Sequence, residues 1–92
     1  MIITIEGKPN EGKTSLAKKI CKGKKASFIQ ESSLSSPFWT AQMDDDTDFI
    51  VVDDVKNYEK TYSKFRCDQL TINKQCKEPV IVNLPNVILI KF

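Results

Sequence analysis

Apolar residues fall into short runs along the chain, and four of these runs have the pattern of buried strands. They are residues 2–5 (IITI), 26–30 (ASFIQ), 49–52 (FIVV) and 87–90 (VILI). Runs of this length, rich in β-branched side chains, are typical of strands, and a continuously apolar run suits a strand that is buried on both faces. We therefore predict a small sheet of four mainly parallel strands.

The segment after the first strand has helical periodicity. In SLAKKICKGKK (residues 15–25), apolar side chains recur on one face and lysines occupy the other. The predicted apolar face consists of Leu16, Ala17, Ile20 and Cys21. Gly23 is the expected C-terminal cap, and the lysines around it suit the negative end of the helix dipole.

A second helix and a hairpin are predicted further along the chain. The helix begins after Asn57, a residue type that caps helices, and continues to about residue 68. Its expected inward positions are Tyr58, Tyr62, Phe65 and Cys67. Residues 70–73 and 80–82 alternate in polarity around KQCKEP, and this alternation predicts a β-hairpin.

Residues 31–48 form the longest predicted connection. We expect residues 32–36, together with Pro37, to be flexible and the pair Phe38–Trp39 to hold the connection against the sheet. Four acids are expected to lie in a solvated loop of this connection: Asp44, Asp45, Asp46 and Asp48.

The loop between the first strand and the first helix carries the most specific motif. Residues 7–14 read GKPNEGKT, in which two glycines are separated by four residues and followed by Lys13 and Thr14. Glycines permit turns that a Cβ would block, so that backbone N–H groups can surround a phosphate, and the helix N-terminus directs its dipole to the same anion. The strand–loop–helix context favours a Walker A motif, with Lys13 at the β and γ phosphates. The predicted nucleotide-binding residues are Gly7, Lys8, Pro9, Asn10, Glu11, Gly12, Lys13, Thr14 and Ser15.

Two acids, Asp53 and Asp54, follow the third predicted strand. Because the carboxyl ends of parallel strands line the ligand crevice, Asp53 should lie beside Lys13 and Thr14. We predict that Asp53 and the Thr14 hydroxyl bind Mg²⁺, and that Asp54 orients or activates a water for attack on the γ phosphate. The predicted catalytic residues are thus Asp54 and Lys13. The alternative is a strand that ends in a polar turn with two exposed acids.

The amino-acid composition limits the classes of protein to which this chain can belong. The 92 residues are 40% hydrophobic and 28% charged, which favours one small domain over residues 1–92, and the net charge of +2 identifies no partner. No apolar run or N-terminal pattern predicts a membrane span or a signal peptide. The three cysteines lack C-x-x-C spacing and are interpreted as free thiols of a cytoplasmic protein. The absence of histidine removes the usual general base and zinc ligand.

The order of these parts resembles the ATPase core of superfamily 3 helicases, which are AAA+-related proteins of viral and plasmid replication. DFIVVDD resembles their Walker B segment, and FRCDQLTINKQCKEPVIVNLPNVILI resembles their basic hairpin followed by a sensor strand. The resemblance implies a minimal P-loop NTPase, a three-layer α/β domain with strand order 2-3-4-1 and an inserted hairpin. It also implies ATP and Mg²⁺ as cofactors, slow hydrolysis, and contact with single-stranded DNA at Lys74 and Lys77. A solvated turn is the alternative for those two lysines. The sequence contains no Asn/Thr-Lys-x-Asp stretch, the pattern by which GTPases recognise guanine, so ATP is the expected nucleotide.

The chain departs from this family near its end. The last strand is followed by Lys91 and Phe92 where the family has a polar sensor, and Asn86 lies at the other end of that strand. The only arginine, Arg66, is the candidate to face a neighbouring subunit of a homo-oligomer. Because an arginine finger contributes about 10³–10⁵ in rate, we expect one chain to bind nucleotide better than it hydrolyses it. Two alternatives stay open, a non-catalytic nucleotide-binding module and a small-molecule kinase; the short chain and single arginine argue against the kinase.

Overall fold

The computed structural model describes residues 1–8 and 12–92. Its strands are β1 (Ile2–Ile5), β2 (Ala26–Gln30), β3 (Phe49–Val55), β4 (Gln69–Ile72), β5 (Val80–Asn83) and β6 (Asn86–Lys91). Its helices are α1 (Lys13–Ile20), α2 (Tyr58–Lys64) and a 3₁₀ helix (Glu31–Ser35). No helix of the described part is long and apolar enough to span a bilayer.

Four parallel strands form the main sheet, in the order β1-β6-β3-β2. When only these four strands are numbered along the chain, β6 is the fourth strand. Read from β2 to β1, the sheet then has the order 2-3-4-1, which confirms the predicted strand order and the α/β class. The last strand lies between the first strand and the strand that carries the two acids. The narrower assignment to the P-loop NTPases stays a prediction.

The two central strands are buried on both faces of the sheet, as parallel strands with covered faces are. The fully buried residues are Ile50, Val51 and Val52 on β3, and Val87, Ile88 and Leu89 on β6. Helix α1 covers one face, where Ala17 and Cys21 join a cluster with Ile5. The other face is covered by residues outside the sheet: Leu34, Met43, Phe65 and Ile72. The sheet therefore lies between two apolar layers, which support its carboxyl edge.

Helix α1 buries a narrower stripe than the sequence predicts. Ala17 and Cys21 are buried and Ile20 is half-buried, whereas Leu16 is 48% exposed. The prediction for Leu16 was wrong because the stripe that meets the sheet runs through Ala17, Ile20 and Cys21, and Leu16 lies about 100° around the helix from Ala17, beyond the edge of that stripe. Its C-terminal cap falls on Cys21, and Gly23 follows in the turn with φ of 77°.

Helix α2 has the predicted cap but ends early. The Asn57 side chain accepts a hydrogen bond from the Lys60 N–H at 3.3 Å, while the helix ends at Lys64 instead of near residue 68. Phe65 is buried as predicted, whereas Cys67 is exposed, because it lies beyond the helical periodicity on which its inward position was predicted. The predicted hairpin is confirmed as the antiparallel pair β4–β5.

The connection between β2 and β3 is more ordered than predicted. Ser32, Ser33 and Ser35 belong to the 3₁₀ helix, whose Leu34 is buried. Trp39 packs edge-on against Phe65 with ring centroids 5.7 Å apart, while Phe38 is 47% exposed. Trp39 therefore packs against the core as predicted, together with the buried Leu34 and Met43 of the same connection, whereas the prediction for Phe38 was wrong.

Candidate functional site

The carboxyl ends of β1, β6 and β3 lie side by side at one edge of the sheet. The register pairs Ile5 with Ile90 and Val55 with Lys91, so that the segment after β1 and the acids of β3 flank the end of β6. A cavity of about 210 Å³ lies at this edge. It is lined by Lys13, Thr14, Asp53, Asp54, Ile90, Lys91 and Phe92. Four residues predicted for phosphate or Mg²⁺ chemistry thus meet around one cavity.

The ammonium group of Lys13 connects the two neighbouring strand ends. Its Nζ donates to the Gly7 carbonyl oxygen at 2.9 Å and to the Lys91 carbonyl oxygen at 2.6 Å. Both acceptors are neutral, and hydrogen bonds from an ammonium to anionic oxygens are stronger. The Lys13 ammonium is therefore positioned at the cavity by bonds that a phosphate oxygen can replace.

Gly12 is the N-terminal cap of α1, in a conformation that glycine adopts without strain. Its φ is 77°, and an added Cβ would meet no atom within 4 Å, so backbone preference and not space favours glycine here. Thr14 and Ser15 are exposed in the first turn, which contains no acidic residue. Gly7 and Lys8 are exposed as well. The predicted ligands Pro9, Asn10 and Glu11 lie outside the described residues.

Asp53 and Asp54 lie where β3 departs from regular pairing. The β3–β6 register shifts between Val52 and Val55, and Asp54 has a φ of 58°. The Asp54 N–H donates to Asp53 Oδ1 at 2.8 Å. The irregularity presents both half-buried carboxyl groups at the cavity, where a regular strand would direct successive side chains to opposite faces.

The donor set at the cavity fits Mg²⁺ when phosphate oxygens complete it. Among the described residues, no group of three or more His, Cys, Asp or Glu side chains is placed to hold a metal alone. Mg²⁺ commonly takes one or two carboxylates together with substrate phosphates and waters. Asp53 and the Thr14 hydroxyl supply such a partial set.

Lys91 is a site residue that the sequence reasoning missed. Its Nζ donates to Glu6 Oε1 at 2.9 Å and lies 4.7 Å from the centre of the Tyr58 ring. The Tyr58 hydroxyl hydrogen-bonds Thr4 Oγ1 at 2.9 Å. The signal was present, because Lys91 directly follows the apolar run 87–90 and the ends of parallel strands line ligand sites.

A larger groove of about 550 Å³ adjoins the cavity at Asp54. Three of its lining residues are lysines, Lys56, Lys60 and Lys64. The sequence reasoning did not identify it, because Glu31 and α2 lie far apart in the chain. Glu31 accepts hydrogen bonds from Thr61 Oγ1 at 2.7 Å and from the Lys56 and Asn57 N–H groups at 3.1 and 3.2 Å.

The charge state of Glu31 follows from these contacts. Burial raises the pKa of Glu31, but the hydrogen bonds from Thr61, Lys56 and Asn57, together with the Lys56 charge, outweigh burial and hold that pKa below its ordinary value of 4.5. The ionised carboxylate therefore fastens the start of α2 beside Asp54.

The predicted DNA-contacting lysines lie at the hairpin turn, but one of them is ion-paired. Lys74 Nζ lies 2.9 Å from Asp44 Oδ1, and Lys25 Nζ lies 2.6 Å from Asp44 Oδ2 and 2.8 Å from Asp46 Oδ1. Hydrogen bonds from Lys25 and Lys74 lower the pKa of Asp44 to about 2. The side chains of Asp44 and Asp46 are 46% and 70% exposed, in agreement with the predicted solvated loop, but the prediction did not include their ion pairs with lysines from other segments. Lys77 is exposed.

Comparison with known proteins shows the fold. No protein-family model and no curated protein matches the chain. Two solved apo structures of the NrS-1 C-terminal region do match. The A form gives a TM-score of 0.69 at 22% identity over 99% of this chain, and another gives 0.72 at 20% identity over 99%. This chain spans 23% and 24% of those chains. It is thus an α/β protein whose parallel sheet has the fold found within that region.

Proposed function

We propose that this chain is an Mg²⁺-dependent ATP-binding domain with slow hydrolysis. One observation carries the proposal: Lys13, Thr14, Asp53 and Asp54, which come from two distant segments, line the same cavity at the carboxyl edge of the sheet. Chemistry at that edge is the rule for open parallel sheets. If the Walker A pattern were a chance match, nothing would require Asp53 and Asp54 to lie beside Lys13.

Each residue has a role in this proposal. The Lys13 ammonium binds the β and γ phosphates, and the backbone from Gly7 to Ser15 surrounds the phosphate chain. Asp53 and the Thr14 hydroxyl would hold Mg²⁺, which neutralises phosphate charge when bound. Asp54 accepts a hydrogen bond from the attacking water and orients it. Pro9, Asn10 and Glu11 enter the proposal from the sequence alone.

The direct test is a titration with ATP, with and without Mg²⁺. Lys13→Ala should weaken ATP binding by about 2–3 kcal/mol, the scale of a charge-assisted hydrogen bond. The matched control is Lys18→Ala, which removes an exposed charge from the last turn of the same helix and should leave affinity within twofold. Equal ATP affinity of Lys13→Ala and the wild type would exclude the Walker A assignment.

A role in nucleic-acid replication is the wider proposal, and it rests on the resemblance to superfamily 3 helicases and on the shared fold. Lys74 and Lys77 would contact single-stranded DNA. The ion pair of Lys74 with Asp44 makes Lys77 the stronger contributor. Binding of an oligonucleotide that weakens with salt and with Lys77→Gln supports this role, since phosphate contacts release counterions; affinity that is independent of salt and of Lys77 contradicts it.

A non-catalytic nucleotide-binding module is the second candidate. It is favoured by the cavity itself, because no arginine is among its described lining residues and Arg66 lies beyond the C-terminal end of α2. ATP binding without turnover at any protein concentration would select this candidate. Measurable turnover that Asp54→Asn abolishes would exclude it.

A further inference from the structure

The groove of about 550 Å³ beside Asp54 has a row of lysines along one wall. The 3₁₀ helix forms the other wall. Lys60 and Lys64 lie about 6 Å apart along α2, since they are four residues apart in one helix, and Lys56 precedes Lys60 by the same number of residues. These three residues are called the lysine row below.

The lysine row has no carboxylate partner among the described residues, whereas Lys25, Lys74 and Lys91 each form an ion pair. Two acids also line the groove. The oxygens of Glu31 accept hydrogen bonds from α2 and from the backbone that precedes it, and Asp54 lies where the groove meets the smaller cavity. The row therefore offers ammonium groups that an anion from outside the chain can bind.

Aromatic rings lie at both ends of the lysine row. Lys56 Nζ lies 4.8 Å from the centre of the Phe92 ring, and Lys64 Nζ lies 5.9 Å from the centre of the Trp39 ring. Phe92 is 70% exposed and Trp39 is half-buried. Cations beside exposed aromatic faces are the means by which proteins bind single-stranded nucleic acid, because the cations follow the phosphates while bases stack on the rings. An acidic peptide would need the lysines alone.

We infer that this groove binds single-stranded nucleic acid, with the lysine row on the phosphates of one strand and Phe92 stacked on a base. The inference rests on the wider proposal of a role with nucleic acid and is independent of ATP binding. It adds a contact surface on α2, separate from the hairpin turn with Lys74 and Lys77. Three phosphate contacts should contribute about −2 to the slope of log affinity against log salt concentration.

The experiment measures the binding of a fluorescent single-stranded thymidine oligonucleotide by anisotropy, without ATP, at several salt concentrations. The double variant Lys60→Gln/Lys64→Gln should weaken binding about tenfold at low salt and make the slope shallower by about 1.4, because each phosphate contact on a single strand contributes about 0.7. Phe92→Leu should weaken binding about fivefold and leave the slope unchanged, because a stacked base releases no counterion.

The matched control is Lys18→Gln/Lys22→Gln. These lysines are also exposed and four residues apart, but they do not line the groove, so affinity should stay within twofold and the slope should not change. Thermal unfolding of each variant identifies losses caused by misfolding. Lys60→Gln alone keeps the Lys64 bond to the Leu34 carbonyl oxygen and should still make the slope shallower by about 0.7.

Three results would overturn the inference. An affinity and a slope that Lys60→Gln/Lys64→Gln leaves unchanged, with losses only in Lys77→Gln, would assign the contact to the hairpin and leave the wider role intact. Equal competition by a polyglutamate peptide of the same charge, together with no effect of Phe92→Leu, would identify an acidic peptide as the occupant. A wild type that binds no oligonucleotide would overturn the wider nucleic-acid role as well, while the ATP titration would still test nucleotide binding separately.

Discussion

Asp54 combines a strained backbone with a position at the candidate site. A non-glycine residue in the left-handed region costs about 1–2 kcal/mol, although Asp and Asn tolerate that region better than other residues. Here the strain coincides with the register shift after Val52 and with the Asp54 N–H bond to Asp53. Strain of this kind persists where the surrounding structure enforces it, often at functional sites.

The two acids should have separable roles. Asp53→Asn should remove the Mg²⁺ dependence of ATP binding, because an amide is a weaker ligand for a hard cation than a carboxylate. Asp54→Asn should bind Mg·ATP normally and lose turnover, and it should fold normally because Asn also tolerates a positive φ. Calorimetric titration and a phosphate-release assay measure the two effects. Identical phenotypes of the two variants would show that the acids do not divide the work in this way.

At the scale of elements, the site depends on how α2 is joined to the rest of the fold. Glu31, at the start of the 3₁₀ helix, binds the N-terminal end of α2 through Thr61 and the N–H groups of Lys56 and Asn57. Since Asp54 directly precedes this segment, the Glu31 contacts restrain one wall of the cavity and of the adjoining groove. Local helix formation would not by itself place α2 next to Asp54, because the contacts that do so come from Glu31, which is distant in the sequence.

Removing the charge of Glu31 should destabilise the protein in a pH-dependent manner. The pKa of Glu31 is lowered by folding, so its ionised form stabilises the folded state above the ordinary value of 4.5, and that contribution is lost as pH falls through the lower folded-state pKa. Glu31→Gln should therefore reduce the free energy of unfolding by about 1 kcal/mol at neutral pH. The difference from wild type should shrink as the pH falls below 4.5 and through the lower folded-state pKa.

Urea unfolding over this pH range measures the effect of Glu31→Gln. The control is Glu59→Gln, which removes another acid from the first turn of α2 at an exposed position and should change the free energy of unfolding by less than about 0.5 kcal/mol. A Glu31→Gln deficit that is constant with pH would show that the charge of Glu31 does not stabilise α2.

At the scale of the whole molecule, the proposed phosphate and metal ligands line the described cavity, whereas the arginine is not among its described lining residues. Arg66 is exposed and follows the C-terminal end of α2, while Asp54 precedes the N-terminal end. A helix of seven residues separates these ends by about 10 Å. If the proposed assembly forms, Arg66 would therefore act on the site of a neighbouring copy and not on the cavity of its own chain.

Turnover should depend on assembly if Arg66 acts in this way. We expect turnover per chain to rise with protein concentration, or on addition of single-stranded DNA that gathers chains through Lys77 and Lys74. Arg66→Ala should abolish the rise and leave ATP affinity nearly unchanged, whereas Lys22→Ala, at another exposed position, should do neither. Flat turnover per chain from dilute to concentrated protein, with and without DNA, would favour the nucleotide-binding module.

The sequence by itself determined the elements and the grouping of the main site residues. Apolar runs located all four sheet strands, polarity alternation located the hairpin, and the glycine spacing selected Lys13 and Thr14. These features are local, because strand and turn preferences act over a few residues. The meeting of Lys13 with Asp53 also followed, since the carboxyl ends of parallel strands share one edge.

Only the tertiary structure decided which charged groups meet. The pair Lys91–Glu6 joins residues 85 positions apart, and Asp44 binds Lys74 across 30 positions. Charged side chains of either sign occur throughout this sequence, and no periodicity selects their partners. The partners are selected by the order of strands and by the packing of connections on the sheet, because an ion pair forms only where the apolar core has already brought two segments together.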